Sequence, residues 1–366
     1  MGGPRVSIFL PSLVGGGAER SITAVANGLA VRGAQVSLVL ATACGPYLDM
    51  VNRAVQVVDL GASSMLRALP RLVRHLRNSQ PAALLAAMSH ANVAVALAHR
   101  LAGSRARLVL SERVHVASML AEYRGASMRA TYALMRWTYP WADQVVAVSQ
   151  GVADDLTRHI PVAPERVVTI YNPVVDEQLL VQAQAAPAHP WLKSAGVPVV
   201  LAAGRLIAQK DFATLVDAFA RLRRERPARL LILGEGELRG SLLAQAARLG
   251  VAADVALPGF DSNPFAAMRA AQVFVLSSRF EGLPGVLIQA MACGTPVVST
   301  DCPSGPREVL EGGRWGALVP VGDAAALCGA IAAALDDPSP PDVRERADAF
   351  TAERAVTAYA RALGLD

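Results

Sequence analysis

The stretch VFVLSSRFEGLPGVLIQAMACGTPVVSTD, from Val273 to Asp301, indicates the fold of this chain most directly. It reads as an apolar strand, a turn rich in glycine and proline, an apolar helix and a second strand. Strands that alternate with helices predict a parallel sheet covered by helices on both faces. The turn carries an unpaired carboxylate, Glu281, and the amide of Gln289 is expected about two turns into the helix.

The same alternation of short apolar runs and helical patterns occupies both halves of the 366-residue chain. It is interrupted at residues 173–196, where prolines accumulate as in a linker. We therefore expect an α/β protein with two Rossmann-like doubly wound domains, at residues 1–172 and 197–340. Helices at 341–366 are expected to pack back toward the first domain. Ligands bind at the carboxyl ends of such strands, so a cleft that both sheets face is the expected site.

Composition restricts the class of protein. Apolar residues make up 53% of the chain and charged residues only 18%, which predicts a packed globular protein. The four cysteines form no Cys-x-x-Cys pair, so neither a zinc site nor a disulfide framework is expected. No secretory pattern or membrane span is recognisable. We expect a cytoplasmic location, with attachment to the inner face of the cytoplasmic membrane as an open alternative.

Two cations follow the first strand of the second half, in the segment AAGRLIAQKDF. Arg205 and Lys210 stand there between a strand end and a helix start, and the chain has only one other lysine, Lys193. A planar guanidinium and a compact ammonium at a strand end suit an anionic ligand. The alternative is that both are solvated loop cations.

The helix start in the opening stretch also favours an anion, because free backbone amides and the helix dipole point at it. The residues concerned are Gly282, Leu283, Pro284, Gly285 and Val286. A phosphate would repel Glu281, so this carboxylate is expected to accept hydrogen bonds from neutral hydroxyls, unless it merely caps the helix. The amide of Gln289 could bind a ribose diol or be an ordinary polar helix residue.

Several spaced segments identify a resemblance: GRLIAQKDF, LLILGEGELRGSL, VALPGF, EGLPGVLIQAMACGTPVVSTDCPSGPREVL and GALVPVGD. In this order they resemble the nucleotide-sugar half of the retaining family-four glycosyltransferases of the GT-B fold, over about residues 199–323. The resemblance implies that Arg205 and Lys210 hold the donor diphosphate, and that Glu281 contacts hydroxyls of the transferred sugar. The resemblance also implies that backbone amides of the turn at residues 282–286 contact the donor phosphates.

The resemblance further implies that Gly204 belongs to the donor site and that Gly259 and Phe260 lie beside the nucleotide base. The family pattern is Glu, seven residues, Glu, with the second Glu on the ribose. Here the second position is Gln289, a departure from the pattern. We expect altered nucleotide contacts rather than loss of activity.

The first half resembles the acceptor half of such enzymes more loosely. The segment LPSLVGGGAER resembles the family's glycine loop, so Gly16 and Gly17 are expected near the donor phosphates. The strand RLVLSERVH would bring Ser111, Glu112, Arg113 and His115 beside the cleft, with Ser149 and Gln150 also lining it. His115 is the candidate for the family's sugar-binding histidine, and His90 is its competitor.

The implied activity is retaining transfer of a sugar to a hydroxyl of a glycan or lipid-linked acceptor in cell-surface polysaccharide or glycoconjugate biosynthesis. A UDP-hexose or UDP-N-acetylhexosamine is the expected donor. No Asp-x-Asp occurs in the chain, so no metal or other cofactor is expected. The alternatives are a nucleotide-sugar epimerase or hydrolase, or a sugar-nucleotide binder without turnover. No nucleic-acid recognition motif is evident.

Charge and amphipathicity favour a membrane partner for the first half. Up to Gly196 the chain has 18 basic and 11 acidic residues, against 17 and 19 in the remainder. The arginines of LRALPRLVRHLR, residues 66–77, are expected on one helical face opposite Leu69, Leu72 and Leu76. Residues 119–141 add three arginines and five aromatics: Arg124, Arg129, Arg136, Tyr123, Tyr132, Trp137, Tyr139 and Trp141. Ordinary half-buried helices are the alternative.

Overall fold

The computed structural model describes residues 3–122, 125–193 and 196–365, which form two compact units. The first unit runs up to Pro173 and takes up the chain again from Thr351, and the second runs from Val174 to Phe350. Tyr123 and Arg124, which belong to the predicted aromatic and basic segment, lie outside the described residues.

The first unit is built on a seven-stranded parallel sheet in the order β3-β2-β1-β4-β5-β6-β7. Its strands are β1 (Arg5–Leu10), β2 (Gln35–Leu40), β3 (Gln56–Asp59), β4 (Ala83–Ala87), β5 (Arg107–Glu112), β6 (Gln144–Ala147) and β7 (Val167–Thr169). The helices between them are α1 (Gly17–Val31), α2 (Met65–Ser79), α3 (Ser89–Ala102), α4 (Val116–Glu122), α5 (Ala126–Thr138) and α6 (Gln150–His159).

The second unit has a six-stranded parallel sheet in the order β10-β9-β8-β11-β12-β13. Its strands are β8 (Val199–Ala203), β9 (Arg229–Leu233), β10 (Val255–Gly259), β11 (Val273–Leu276), β12 (Val297–Thr300) and β13 (Ala317–Val319). Its helices are α7 (Glu177–Gln182), α8 (Phe212–Glu225), α9 (Arg239–Arg248), α10 (Pro264–Ala270), α11 (Gly285–Ala292), α12 (Pro306–Val309), α13 (Ala324–Asp336) and α14 (Arg344–Ala347).

The opening stretch folds as its pattern predicts, with β11 and β12 paired in parallel and α11 between them. Val200 and Leu201 of β8 are fully buried, as in a sheet covered by helices on both faces. The strand order reverses between β8 and β11, which pair through Val273 and Val200. Such a switch point leaves a crevice at the carboxyl ends of the two strands, where ligands of these sheets bind.

Residues 173–196, predicted as a linker, mostly belong to the second unit. They include α7, whose first turn is capped by the Asp176 carboxylate on the amide of Leu179 at 2.7 Å. Leu179 is fully buried, and Asn263 donates to the Gln182 carbonyl at 2.9 Å. These contacts tie the proline-rich segment to the body of the unit.

The last helix, α15 (Ala352–Leu363), completes the core of the first unit, whereas α14 belongs to the second unit. The Tyr359 ring is fully buried, and its hydroxyl lies 3.1 Å from Ser111 Oγ at the end of β5. Arg107 donates to the Ala362 carbonyl at 2.7 Å. Among the described residues, no helix is both long and apolar enough to cross a membrane.

Candidate active site

The loops at the switch point of the second unit bring together the chemistry-bearing residues that the sequence separates. Lys210 Nζ lies 2.6 Å from Glu281 Oε1, although the two residues are 71 positions apart. Lys210 stands in the loop after β8 and Glu281 in the loop after β11, and these strands are direct neighbours. The carboxylate expected to be unpaired therefore has an ammonium partner.

Two serines at the end of β11 fix this pair. Ser278 Oγ donates to Glu281 Oε1 at 2.6 Å, and Ser277 Oγ donates to the Lys210 carbonyl at 2.8 Å. The Lys210 and Glu281 side chains are only 15% and 9% exposed. Both donors to Glu281 use Oε1, so Oε2 accepts no hydrogen bond from any side chain or amide in the described part of the chain. One carboxylate oxygen is thus held in place while the other remains available.

Arg205 lies on the same loop as Lys210 but is exposed, and within the described ranges its guanidinium has no protein partner. Its backbone is well fixed, because the flanking amides of Gly204 and Leu206 donate to the Leu233 and Glu235 carbonyls, each at 2.9 Å. The loop therefore presents a positive charge to solvent from a rigid support.

The turn after β11 is covered by a second loop. Ser304 Oγ donates to the Gly282 carbonyl at 2.9 Å, and a Cβ at Gly305, where φ is +94°, would lie 2.5 Å from Pro284 Cδ. Gly282, Leu283 and Pro284 are consequently buried. The predicted backbone approach to an anion is thus restricted to the helix start that follows.

Helix α11 begins at Gly285, with Pro284 as its N-cap, so Glu281 does not cap it. The first amides of a helix have no acceptor within the helix, which leaves those of Gly285 and Val286 directed outward. Both residues are half-buried rather than enclosed. Gln289 is the fifth residue of α11 and also half-buried, so it lies just over one turn into the helix and not two.

The loops after β8, β9 and β10 approach one another through glycines. A Cβ on Gly234, where φ is +131°, would lie 2.1 Å from the Gly204 carbonyl oxygen. A Cβ on Gly259, where φ is +103°, would lie 2.4 Å from Glu235 Oε1. Phe260 follows with a side chain that is 80% exposed. A bare aromatic ring at this sheet edge has the form of a stacking surface for a planar ligand.

In the first unit, the glycine loop follows β1 as predicted. Gly16 is the N-cap of α1 and Gly17 its first residue, while Gly15 has φ +126°, a conformation that favours glycine. His90 stands in the first turn of α3, after the neighbouring strand β4. Loss of water contact lowers the pKa of His90, and the negative charge of Glu19 in α1 acts in the opposite direction.

His115 has a different environment, centred on the buried carboxylate of Asp155. That carboxylate accepts the Val116 amide at 2.6 Å at the start of α4, and its Oδ1 lies 3.7 Å from His115 Nε2 and 3.0 Å from His159 Nδ1. The Ser118 amide donates to His115 Nδ1 at 3.2 Å, so the neutral ring carries its proton on Nε2. Burial lowers the pKa of His115, and Asp155 opposes that change.

Several residues expected to line the cleft are instead internal. Ser111 and Glu112 are fully buried and Arg113 is only 8% exposed. Ser149 is also fully buried, where it caps α6 by accepting the Val152 amide at 3.3 Å. A polar residue at a strand end can form hydrogen bonds with buried protein groups or with a ligand. The sequence pattern is the same in both cases.

Glu112 forms a buried network that the sequence did not reveal. Its Oε2 accepts the Tyr139 hydroxyl at 2.6 Å, and its Oε1 accepts the Ser89 hydroxyl and the Arg113 amide, each at 3.0 Å. Burial raises the pKa of the Glu112 carboxyl, while these hydrogen bonds lower it. Arg113 donates to Asn172 Oδ1 at 2.7 Å. The network fixes the end of β5 from within.

Comparison with known proteins places these features in a family. Residues 15–178 match the family described as Glycosyltransferase Family 4, and residues 197–337 match Glycosyl transferases group 1. The chain belongs to the group 1 glycosyltransferases. The two parallel sheets and the related solved structures confirm the predicted GT-B fold class.

Two relatives illustrate the range of this glycosyltransferase family. The chain is 33% identical over 243 residues to the N-acetylgalactosamine-N,N'-diacetylbacillosaminyl-diphospho-undecaprenol 4-alpha-N-acetylgalactosaminyltransferase of Campylobacter jejuni. That alignment covers 66% of this chain and 64% of the relative, which is less than two thirds of its length. The lipopolysaccharide core biosynthesis glycosyltransferase LpsE of Rhizobium meliloti is 29% identical, with 88% of this chain and 87% of LpsE covered.

Among solved structures, Anabaena Alr3699/HepE in complex with UDP superimposes on this glycosyltransferase with a TM-score of 0.79. The alignment covers 99% of each chain at 22% identity, a level at which the likeness concerns the fold.

The residues that sequence reasoning missed in this glycosyltransferase are the supports of the Lys210 and Glu281 pair. Ser277 and Ser278 directly follow β11, four and three residues before Glu281. Two hydroxyls at the carboxyl end of a buried strand, next to a candidate carboxylate, were the available signal. The sequence did not predict that β8 and β11 are neighbours. The hydrogen bond from Ser277 to the Lys210 carbonyl in the β8 loop could therefore not be predicted either.

Proposed function

We propose that this group 1 glycosyltransferase transfers a sugar from a nucleoside-diphosphate sugar to an acceptor hydroxyl, with retention of anomeric configuration. The observation that carries the proposal is the Lys210–Glu281 pair at the switch point, 2.6 Å apart and largely shielded from water. An ammonium and a carboxylate held together there offer adjacent contacts for a diphosphate and for sugar hydroxyls.

In this proposal, the cations of the β8 loop stabilise the departing nucleotide. An ammonium has three donors, and Glu281 occupies one on Lys210, so two remain for phosphate oxygens. Arg205 adds an exposed guanidinium from the same loop. The amides of Gly285 and Val286 at the start of α11 add a dipole that favours negative charge. Together these groups supply the charge that a bridging metal ion would otherwise supply, so we propose metal-independent transfer.

Glu281 Oε2 accepts a hydrogen bond from a hydroxyl of the transferred sugar. Same-face displacement then needs no protein base: the bond from the anomeric carbon to the phosphate oxygen breaks and the bond to the acceptor oxygen forms. The acceptor proton passes to the leaving phosphate. The protein contributes orientation and charge stabilisation to this step. Either His90 or His115 serves as a further sugar contact in this scheme.

The printed name of the Campylobacter jejuni relative, an N-acetylgalactosaminyltransferase, and the UDP bound in the Anabaena Alr3699/HepE structure support a UDP-hexose or UDP-N-acetylhexosamine as donor. The Campylobacter jejuni relative is named as an N-acetylgalactosaminyltransferase acting on a diphospho-undecaprenol-linked sugar, and LpsE as a lipopolysaccharide core enzyme. We therefore propose a glycan or lipid-linked acceptor in cell-surface polysaccharide or glycoconjugate biosynthesis, at the cytoplasmic face of the membrane.

A donor screen tests the proposal. Purified protein is heated with UDP-, GDP- and ADP-sugars in EDTA, and slow sugar release is followed by chromatography. We expect one nucleotide class to raise the unfolding temperature and to release sugar with the anomeric configuration of the donor. Rearranged nucleotide sugar would indicate an epimerase, and binding without release would indicate a non-catalytic binder. Absence of any thermal shift or release would contradict the proposed donor site.

Gln289→Glu should keep or improve nucleotide affinity. The side chain is half-buried on the first turns of α11, and a carboxylate is a stronger acceptor than an amide for a ribose diol. The change is measured by isothermal titration with the nucleoside diphosphate found in the screen. Gln184→Glu, on the chain after α7, is the charge-matched control. Loss of binding in Gln289→Glu alone would remove this residue from the ribose contact.

Ser278→Ala should lower kcat by about tenfold, because Glu281 loses one of its two fixed contacts. Ser278→Thr, which retains the hydroxyl, should restore most of the rate. Ser299→Ala removes another fully buried hydroxyl, from β12. It is the control for the loss of a buried hydroxyl that does not contact Glu281. If Ser278→Ala and Ser299→Ala have equal kcat and KM, the positioning role of Ser278 is wrong.

A further inference from the structure

Met88, the residue between β4 and α3, has a backbone conformation that a side chain rarely allows. Its φ is +79° and its ψ is +133°. Gln80 and Asp211 also have positive φ, but their ψ values of 60° and 45° place them in the left-handed helical region. Met88 lies outside that region, in backbone space that glycine occupies more easily. The chain therefore accepts a strained backbone where glycine would relieve the strain.

The strained residue stands at the switch point of the first sheet. The strand order reverses between β1 and β4, and the ends of these neighbouring strands lead into the glycine loop and into α3. Ligands of such sheets bind at this point. A strained backbone persists only where the surrounding structure fixes it, and such residues concentrate at functional sites. The position of Met88 therefore indicates a role in binding or catalysis.

Hydrogen bonds fix the Met88 backbone on both sides. Its amide donates to the Ser111 carbonyl at 3.3 Å, and its carbonyl accepts the Asn92 amide at 2.8 Å. The Asn92 side chain is fully buried and donates to the same Ser111 carbonyl at 2.9 Å. The Met88 side chain is half-buried and packs against the core of the first unit. Both the backbone and the side chain of Met88 are thus anchored.

The Glu112 network fixes the next residue, Ser89. Ser89 Oγ donates to Glu112 Oε1 at 3.0 Å, and the Tyr139 hydroxyl donates to Glu112 Oε2 at 2.6 Å. The same hydroxyl accepts a hydrogen bond from Asn92 Nδ2 at 2.9 Å. Asn92, Glu112 and Tyr139 are fully buried. The direction in which the chain enters α3 is therefore set from the interior of the unit.

His90 is the exposed residue that follows these anchored positions. Within the described ranges its ring has no hydrogen-bonded partner. Burial of part of the ring lowers the pKa of His90 against the opposing effect of Glu19, so the neutral imidazole has one donor and one acceptor nitrogen. In His115, by contrast, Nδ1 accepts the Ser118 amide and Nε2 faces Asp155 Oδ1 at 3.7 Å. His90 is thus the candidate histidine whose ring nitrogens are available to a hydroxyl.

We propose that Met88 is a positioning residue for His90, and that His90 contacts a sugar hydroxyl in the transfer reaction. The strained backbone, anchored through Ser111, Asn92 and Glu112, allows one direction for the first turn of α3. A glycine would populate several conformations at this position and would release the ring from that direction. The inference rests on the proposed function, because it assigns one of the two candidate histidines to that reaction.

The test compares Met88→Gly with Met88→Leu in the full chain, using the donor found in the screen. Met88→Gly should lower kcat about tenfold with little change in KM, since the His90 ring is retained but loses its orientation. Met88→Leu keeps an apolar anchor and a restricted backbone, so it should retain most of the rate. The matched control is Gln80→Gly, which relieves a positive φ before the opposite end of β4 and should leave the rate unchanged.

A double-mutant cycle shows whether Met88 acts through His90. His90→Ala should lower kcat about tenfold, and Met88→Gly in that background should lower it further by less than about twofold. Such non-additivity is expected because the orientation of a missing ring cannot matter. Additive losses would mean that Met88 supports the fold in general, and the positioning role would be wrong.

Two measurements need no substrate. The Asn92 amide, which donates to the Met88 carbonyl, should exchange its hydrogen about tenfold faster in Met88→Gly. In Met88→Leu and Gln80→Gly it should exchange at the wild-type rate. Met88→Gly should also unfold at a temperature about 2 °C higher than Met88→Ala, the reverse of the usual order of these residues, because only glycine relieves the strain.

Three further results would overturn the proposal: a wild-type kcat in Met88→Gly, an equal loss in Gln80→Gly, or unchanged exchange of the Asn92 amide. A failure confined to the variants, with an active wild type, concerns this inference alone. If wild type itself neither binds a donor nor releases sugar, the proposed function is wrong, and the assignment of His90 is wrong with it.

Discussion

Lys210→Ala should reduce turnover by about 100-fold or more, the effect of losing one charge contact that stabilises a transition state. It should also lower the free energy of unfolding by about 2 kcal/mol, because Glu281, in a largely buried position, would keep only Ser278 as a partner among the described residues. Single-turnover assays with the donor found in the screen give the rate, and urea titration gives the stability.

The chain supplies its own control for this variant, because Lys193 is the only other lysine and is exposed. Lys193→Ala should match wild type in rate and in stability. Glu281→Gln in the Lys210→Ala background should recover part of the lost stability but none of the rate, since a neutral amide is less costly to bury than an unpaired carboxylate. A normal rate in Lys210→Ala would contradict the diphosphate assignment.

Arg205→Ala should produce a similar loss in turnover, about 100-fold, with no change in stability. The difference from Lys210 follows from their environments: Arg205 is exposed and makes no side-chain contact within the described ranges, so its removal leaves no protein group unpaired. Arg205→Lys should restore part of the rate, because a point charge remains but the planar fork is lost.

Arg248→Ala, which removes another exposed arginine at the end of α9, is the control for Arg205. Unfolding curves of all three arginine variants should superimpose on that of wild type. If Arg205→Ala transfers sugar as fast as Arg248→Ala, the guanidinium has no part in the reaction and Lys210 must act alone on the β8 loop.

The sequence was sufficient to predict the βαβ unit around α11, because strand burial, turn composition and helix length agree over residues 273–301. It also located Arg205, Lys210 and Glu281 at strand ends. It did not reveal that Lys210 and Glu281 touch, since that contact depends on β8 and β11 being neighbours. Strand order is a property of the whole sheet, and no local pattern encodes it.

The first unit was harder to predict for a different reason. Ser111 and Glu112 end a buried strand and Arg113 follows it, at a position where ligand-binding residues often lie, yet all three are internal. Their partners, Tyr139, Asn172 and Tyr359, come from distant parts of the chain. On α2, sequence periodicity identified the basic and apolar residues but could not decide which leucines reach the core.

The assignment of α15 to the first unit has a consequence for biosynthesis. The first unit needs a helix that the ribosome makes only after residues 174–350 have been synthesised. At roughly 5 to 20 residues per second, this delay lasts on the order of ten to thirty seconds. During that time α1 lacks its neighbour α15. Gly28 has not yet packed against Val356, and Ser111 has not yet bonded to the Tyr359 hydroxyl. The nascent chain thus exposes an unfinished core while the later unit folds.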